Sequence, residues 1–99
     1  MKLIYTEQAL LGLEEALGFI APKVTQEKLL EIRDCILEKA DTLLLHPLQG
    51  QKEPHLEHLD LGHRRIIESH YKIIYRVMDE YIYITDIFDS RQDADKMKG

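Results

Sequence analysis

Hydrophobic residues recur at spacings of three and four in the first part of the chain. The first stripe comprises Leu10, Leu13, Leu17 and Ile20, with Ala9 and Ala16 beside it. This period is typical of an amphipathic helix with one buried face. Thr6 is a suitable N-cap, and Pro22 is a residue that ends helices. The pattern therefore predicts a helix over residues 7–20.

A second stripe follows after a short break. Its members are Leu29, Ile32, Ile36, Ala40, Leu43 and Leu44. Thr25 can cap the start, and the pair His46-Pro47 favours an end before it. We therefore predict a helix over residues 25–45. Since the connection is only a few residues long, the two helices should form an antiparallel hairpin.

The pattern changes to short β-prone runs between residues 62 and 88. The runs are Arg64–Glu68, Tyr71–Met78 and Tyr81–Phe88, separated by Ser69-His70 and Asp79-Glu80. Runs rich in Ile, Val and Tyr with short polar breaks are typical of strands joined by tight turns. The sequence thus predicts an antiparallel meander, which we take as the centre of the fold.

A two-residue turn at Asp79-Glu80 would pair Met78 with Tyr81 and fix which side chains share a face. The predicted core face carries Tyr71, Ile73, Tyr75, Val77, Ile82, Ile84 and Phe88. The opposite face carries Lys72, Ile74, Arg76, Tyr83, Thr85 and Ile87. In this register Lys72 lies opposite Ile87. The second face is cationic and partly apolar.

These elements predict a single α+β domain over residues 1–99. A short strand at Lys2–Tyr5 precedes the helices, residues 48–54 form a loop, and Leu56 and Leu59 indicate a strand or turn before the meander. We expect the strand and the helical hairpin to pack on one face of an antiparallel sheet. The residues expected to be buried are Leu13, Leu17, Ile32, Ile36, Leu43, Tyr75, Val77 and Ile84.

Composition adds constraints on location and partners. The 99 residues hold one cysteine, Cys35, which is expected to be a small buried hydrophobe. The chain shows no signal peptide and no apolar run long enough for a membrane span, so we expect a cytoplasmic protein without membrane contact. The net charge is −5, yet residues 62–77 carry four basic residues and one acidic residue. This basic segment is either a charged strand edge or a site for phosphate or carboxylate groups.

Several motifs together resemble the RelE/ParE superfamily of bacterial type II toxins. One is Thr6-Glu7-Gln8-Ala9 at the start of the first helix, and another is Leu-x-x-x-Pro-x-x-Gly over residues 43–50. The most specific is Gly62-x-Arg64, followed by residues 71–77 (Tyr-Lys-Ile-Ile-Tyr-Arg-Val), Ile82-x-Ile84-x-x-Ile87 and Arg91. The resemblance covers nearly the whole chain. It implies the RelE/ParE toxin fold and a toxin of a toxin–antitoxin (plasmid stabilisation) module that a cognate antitoxin neutralises.

The superfamily contains two mechanisms. RelE-like members are ribosome-dependent endoribonucleases that cut mRNA, and the resemblance gives the corresponding candidate residues here as Lys52, Arg64, Lys72 and Arg91. ParE-like members are associated with poisoning DNA gyrase. The tail position at which RelE-like toxins often carry a Tyr or His is Met97, whose thioether cannot transfer a proton. The resemblance is therefore closer to the ParE-like branch, and it favours a toxin that is not an enzyme.

The chemistry of the individual residues also favours a toxin that is not a ribonuclease. RNA cleavage needs a base near neutral pKa, which arginine cannot supply. His63 and His70 have a suitable intrinsic pKa, but their positions favour solvated loop histidines. The pair His55-x-x-His58 lacks a third metal ligand, so we expect no metal and no cofactor. Tyr71, Tyr75, Tyr81 and Tyr83 are either core and rim residues or a platform for bases.

The proposed partners differ between the hypotheses. An antitoxin is expected to bind Leu11, Leu30 and Leu37, which lie off the main helical stripes. A target such as DNA gyrase would contact Arg76, Arg91 and Lys96. The alternatives are a ribosome with mRNA as the target, or an inactive homologue that acts as a binding partner.

Overall fold

The computed structural model describes residues 1–91 and 97–99. The helices are α1 (Glu7–Ile20) and α2 (Gln26–Asp41). The strands are β1 (Lys2–Tyr5), β2 (Gln51–Lys52), β3 (Arg64–Glu68), β4 (Tyr71–Met78) and β5 (Tyr81–Asp89). Short 3₁₀ segments occupy Ala21–Lys23, Thr42–Leu44 and Pro54–Leu59.

Both helices begin at the predicted threonines. The Thr6 hydroxyl accepts a hydrogen bond from the Ala9 amide at 3.1 Å, and the Thr25 hydroxyl accepts one from the Lys28 amide at 3.1 Å. These bonds satisfy amides that have no partner inside the helix. The α2 helix ends at Asp41 and tightens into a 3₁₀ turn, close to the predicted limit. Within the described residues, no helix is long and apolar enough to cross a membrane.

The strands of the described residues form one sheet in the order β1-β5-β4-β3-β2. The predicted meander β3-β4-β5 is antiparallel, but β1 runs parallel to β5. The expectation of a wholly antiparallel sheet was therefore wrong at β1. The α+β class is confirmed, with the helical hairpin on one face of a mixed sheet.

The register of β4 and β5 changes part-way along. Met78 lies opposite Tyr81 as predicted, and Asp79 accommodates the turn with a φ of 56°. Beyond that, Tyr75 lies opposite Ile84 whereas Ile74 lies opposite Asp86, which makes Thr85 an extra residue in β5. A bulge of one residue inverts the alternation of faces. The predicted faces of Ile87 and Phe88 were consequently wrong.

The main core lies between the helices and the sheet. Its buried members include Ala9, Leu13, Ala16, Ile36, Ala40, Leu43, Ile66, Ile73, Tyr75, Ile82, Ile84 and Ile87. Of the residues expected to be buried, Leu17, Ile32 and Val77 are partly buried and pack against this core.

A second apolar cluster covers part of the opposite face of the sheet. It comprises Leu56, Ile74, Phe88 and Met97. Leu56 comes from the 3₁₀ segment Pro54–Leu59, where the sequence indicated a strand or turn. This cluster explains why Ile74 is fully buried although its strand face is otherwise charged.

Candidate functional site

Three of the four ribonuclease candidates lie in strands, on two different faces of the sheet, and Arg91 follows the last strand. Lys52 lies opposite Arg64, and Arg64 lies opposite Tyr75, so both lysine and arginine share the face that the helices cover. Lys72 lies opposite Phe88, on the other face. The predicted pairing of Lys72 with Ile87 was wrong because of the bulge in β5. The structure therefore does not gather these cations into one site.

Lys72 is held by a buried carboxylate that the sequence analysis missed. Glu53 is 4% exposed, and its Oε2 lies 3.7 Å from Lys72 Nζ and 3.2 Å from Arg65 Nη1. The Lys72 ammonium also lies 5.9 Å from the centre of the Phe88 ring. The sequence signal that could have revealed Glu53 is its position directly before Pro54, where a carboxylate can cap the following turn. In the structure, Glu53 Oε1 accepts a hydrogen bond from the His55 amide at 3.3 Å.

Arg64 has a structural partner in the loop before β2. Its Nη1 donates to the Gly50 carbonyl at 2.7 Å, and the Gly50 amide donates to the Tyr75 hydroxyl at 3.0 Å. A Cβ on Gly50 would lie 2.8 Å from that hydroxyl oxygen. This close approach gives a physical reason for glycine at the end of the motif over residues 43–50.

Arg91 binds Asp89 through two nitrogens. Arg91 Nη2 lies 2.6 Å from Asp89 Oδ2 and Nε lies 3.0 Å from Oδ1, while the Arg91 side chain remains 58% exposed. Hydrogen bonds from Arg91 are the largest influence that lowers the pKa of Asp89. The guanidinium thus has one exposed side that is available to a partner.

Arg91 borders a cavity of about 340 Å³ between α2 and the β3–β4 turn. Partly buried Cys35 and exposed His70 also line this cavity. Cys35 was expected to be a buried hydrophobe, and it retains partial exposure. The turn position of His70 agrees with the predicted solvated histidine.

His63 differs from the prediction of a solvated loop histidine, since it is 3% exposed. Within the described residues neither ring nitrogen has a hydrogen-bond partner. Burial is the main cause that lowers its pKa, and Arg76 acts in the same direction. No local pattern indicated this burial, because Gly99, which lies against the ring, is far along the chain from His63.

Asp86 is a buried carboxylate on the same face as His63. It is 4% exposed and accepts hydrogen bonds from Gln8 Nε2 at 2.8 Å and from the amides of Lys98 and Gly99 at 3.2 and 2.9 Å. Burial raises the pKa of Asp86, while the two amides oppose that rise. An acidic residue inside the apolar run of β5 was the signal that could have revealed it.

The charged residues proposed for target contact are only partly described. Arg76 lies on the face of the sheet away from the helices, and its Nη2 lies 3.6 Å from the Met78 sulfur. Arg76 Nε is buried, and within the described part of the chain it has no hydrogen-bond partner. Lys96 lies outside the described residues. Among the described side chains, no group of three or more potential ligands could hold a metal ion.

The proposed antitoxin-binding leucines differ in exposure. Leu11 is 52% exposed and Leu30 is 40% exposed. Leu37 is partly buried and packs against the main core, so the expectation of an exposed side chain was wrong. Leu11 lines a groove of about 570 Å³ between α1 and the second half of β5.

A family model for the ParE toxin of the type II toxin–antitoxin system parDE matches residues 3–94. The chain belongs to the ParE toxin family. This finding confirms the predicted resemblance and makes the protein a toxin of the type II toxin–antitoxin class. A toxin of this class has an antitoxin as its partner.

The ParE assignment agrees with the fold. The structure is similar to a solved structure described as the chromosomal ParDE TA system from P. aeruginosa, with a TM-score of 0.73 and 23% sequence identity. The alignment covers 90% of this chain and 95% of the other. No protein with a curated functional description matches the sequence.

Proposed function

We propose that this ParE-family toxin inhibits growth from the cytoplasm by contact with an essential target such as DNA gyrase, and that a cognate antitoxin neutralises it. The observation that carries this proposal is the separation of the candidate cations. Lys72 is committed to Glu53 on one face, and Arg64 is committed to the Gly50 carbonyl on the other. Stabilising a phosphoryl transition state requires several donors aimed at one point.

Neither Met97 nor His63 offers an accessible proton carrier on the face of the sheet that holds Lys72. Met97 packs with Leu56 and Phe88 in the second apolar cluster, at the tail position where RelE-like toxins often carry an aromatic acid or base. His63 is buried next to that cluster and is therefore not accessible to RNA. These positions favour a toxin that acts by binding over one that acts by catalysis.

The antitoxin is proposed to bind the outer surface of the helices. Leu11 and Leu30 are large apolar side chains that remain 52% and 40% exposed. Exposed apolar residues on a small domain commonly mark a protein interface. An amphipathic helix of the antitoxin would bury them. Leu37 on α2 packs against the main core and keeps partial exposure, so only its exposed part is proposed to contact the antitoxin.

Target contact is proposed for Arg76, Arg91 and Lys96. The exposed side of the Arg91 guanidinium can bind a carboxylate of the target while Asp89 holds its orientation. Arginine and lysine are suited to recognition of an acidic protein surface. The proposal for Lys96 rests on its charge and its place near the end of the chain.

Induction of the toxin in bacteria that lack the antitoxin tests the mechanism. We expect the DNA damage response and filamentation, and we expect translation to continue at early times. In a purified system the toxin should trap gyrase on cleaved DNA and leave ribosome-bound mRNA intact. The antitoxin should reverse each effect when both proteins are expressed.

The opposite results would identify the alternatives. Codon-specific cuts in ribosome-bound mRNA, abolished by both Lys72→Ala and Arg91→Ala, would establish a ribonuclease. Loss of one such contact lowers a catalytic rate by about 10²–10³. Antitoxin binding without any growth defect would establish an inactive homologue.

A further inference from the structure

The segment Met97–Gly99 is docked on the face of the sheet away from the helices. Met97 is 5% exposed and packs in the second apolar cluster. The next two amides donate to Asp86, from Lys98 to Oδ1 at 3.2 Å and from Gly99 to Oδ2 at 2.9 Å. One apolar side chain and one buried carboxylate thus hold this segment.

The His63 ring lies directly against the docked segment. A Cβ on Gly99 would be 2.8 Å from His63 Nε2 and 3.0 Å from Leu59 Cδ1, so Gly99 closes the site without spare room. Gly99 adopts a φ of 76°, a conformation that glycine tolerates best. Neither ring nitrogen makes a hydrogen bond of good geometry among the described residues, although the Gly99 backbone acts on the ring and the side chain is only 3% exposed.

The surroundings of His63 favour its neutral form while the segment is docked. Among the described residues, Arg76 from β4 and Asp86 from β5 are the charged groups that act on the ring. Leu59, from the 3₁₀ segment, lies beside Gly99, with its Cδ1 3.0 Å from the position that a Cβ on Gly99 would take. Burial lowers the pKa of His63 most and Arg76 lowers it further, while Asp86 and the backbone of Gly99 oppose both. Departure of Gly99 would open the ring to water, where a cation is stabilised by solvation.

We propose that protonation of His63 releases the segment Met97–Gly99 from Asp86, so that the segment is docked at neutral pH and detached in mild acid. The released state binds the proton more tightly because water solvates the imidazolium. Docking therefore weakens as pH falls below the ordinary histidine value of about 6.5, by up to about tenfold per pH unit. Docking stops weakening once the pH is below the pKa of His63 in the docked form.

This pH-dependent docking of Met97–Gly99 goes beyond the proposed function and does not depend on it. Docking itself is measurable on the isolated toxin, without gyrase or an antitoxin. Failure of the pH response would leave the contact mechanism open, and failure of gyrase poisoning would leave the pH response open.

Nuclear magnetic resonance of the complete, ¹⁵N-labelled toxin from about pH 8 to about pH 5 tests the proposal. The amides of Lys98 and Gly99 should move towards unstructured positions with the same midpoint as the His63 ring protons. The amides of Ile36 and Ile84 should keep their native positions. A His63 titration during which the Lys98 and Gly99 amides remain protected would overturn the proposal.

Variants identify the responsible group. His63→Gln should remove the release in mild acid, whereas His46→Gln and His70→Gln, at exposed histidines, should leave its midpoint unchanged. Gly99→Ala should give the released spectrum at every pH, because its side chain would collide with the ring. Release in His63→Gln at the wild-type midpoint would overturn the proposal. If His63→Gln does not fold, the wild-type titration decides: equal midpoints for the His63 ring protons and the Lys98 and Gly99 amides support the proposal, and different midpoints overturn it.

Discussion

The carbonyl oxygen of Ile87 lies 2.3 Å from the position that a Cβ on Gly12 would take, too close for a side chain there. The backbone of α1 therefore rests directly on the backbone of β5, just beyond the bulge at Thr85. Gly12 has no side chain to separate the two elements, so helix and strand approach more closely than ordinary packing allows. This contact determines how deeply α1 sits on the sheet.

Gly12→Ala should destabilise the fold even though alanine favours helices. The new methyl group must displace α1 from β5, and such overpacking costs about 1–3 kcal/mol. Gly18→Ala in the same helix is the matched control, because nothing lies within 4 Å of the position that its methyl group would take. It should stabilise by about 0.5–1 kcal/mol. Urea denaturation measures both, and equal effects would contradict the role of Ile87.

Tyr75→Phe should cost about 1–3 kcal/mol although it removes a single oxygen. The Tyr75 ring is 0% exposed, and its hydroxyl accepts the Gly50 amide at 3.0 Å. The phenylalanine variant would leave that amide buried without an acceptor. Tyr81→Phe, at a residue that is 38% exposed, should change the free energy of unfolding very little. Similar values for the two variants would show that the Gly50 bond is unimportant.

Leu11→Glu and Leu30→Glu should each weaken antitoxin binding and leave the domain folded. Both side chains are exposed, so a carboxylate there stays solvated in the free toxin but is desolvated in the complex. Leu45→Glu is the control, since Leu45 is 79% exposed and lies outside both helices. Calorimetry measures the affinities. Wild-type affinity in both helix variants would exclude this surface.

Arg91→Ala should raise the pKa of Asp89 towards its usual value. In the wild type the lowered pKa means that the paired carboxylate stabilises the fold above the unfolded value of 3.8 and loses that contribution as pH falls through the folded pKa. The variant should lose most of this dependence. Carboxyl ¹³C titration checks the shift, and Asp89→Asn confirms which resonance titrates. An unchanged Asp89 titration in Arg91→Ala would show that the pair is not formed in solution.

The helices and the meander were predictable because their signals are local. The stripes that contain Leu13 and Ile36, the threonine caps, and the turn at Asp79 each depend on residues within a few positions of one another. The motifs carried the family resemblance for the same reason, since their spacing along the chain is preserved in the sequence. The α+β class followed from the order of these elements.

The register and the polar interior depended on contacts between distant parts of the chain. The bulge at Thr85 moves Ile87 to the core and Phe88 to the opposite face, which no periodicity in β5 indicated. His63 is buried with Gly99, a residue far along the chain, lying against its ring. Leu37 was predicted to be exposed from its place beside the stripe, yet it packs against the core.

The sequence by itself determined the elements, their order, the toxin class and the identity of the charged residues. Only the tertiary structure decided which of those charges face one another. Glu53 meets Lys72, and Asp86 receives the amides of Lys98 and Gly99, across separations of 12 residues or more. Periodicity specifies a side chain's direction relative to its own backbone. The partner that a side chain contacts is fixed only when the strands pair and the bulge sets their register.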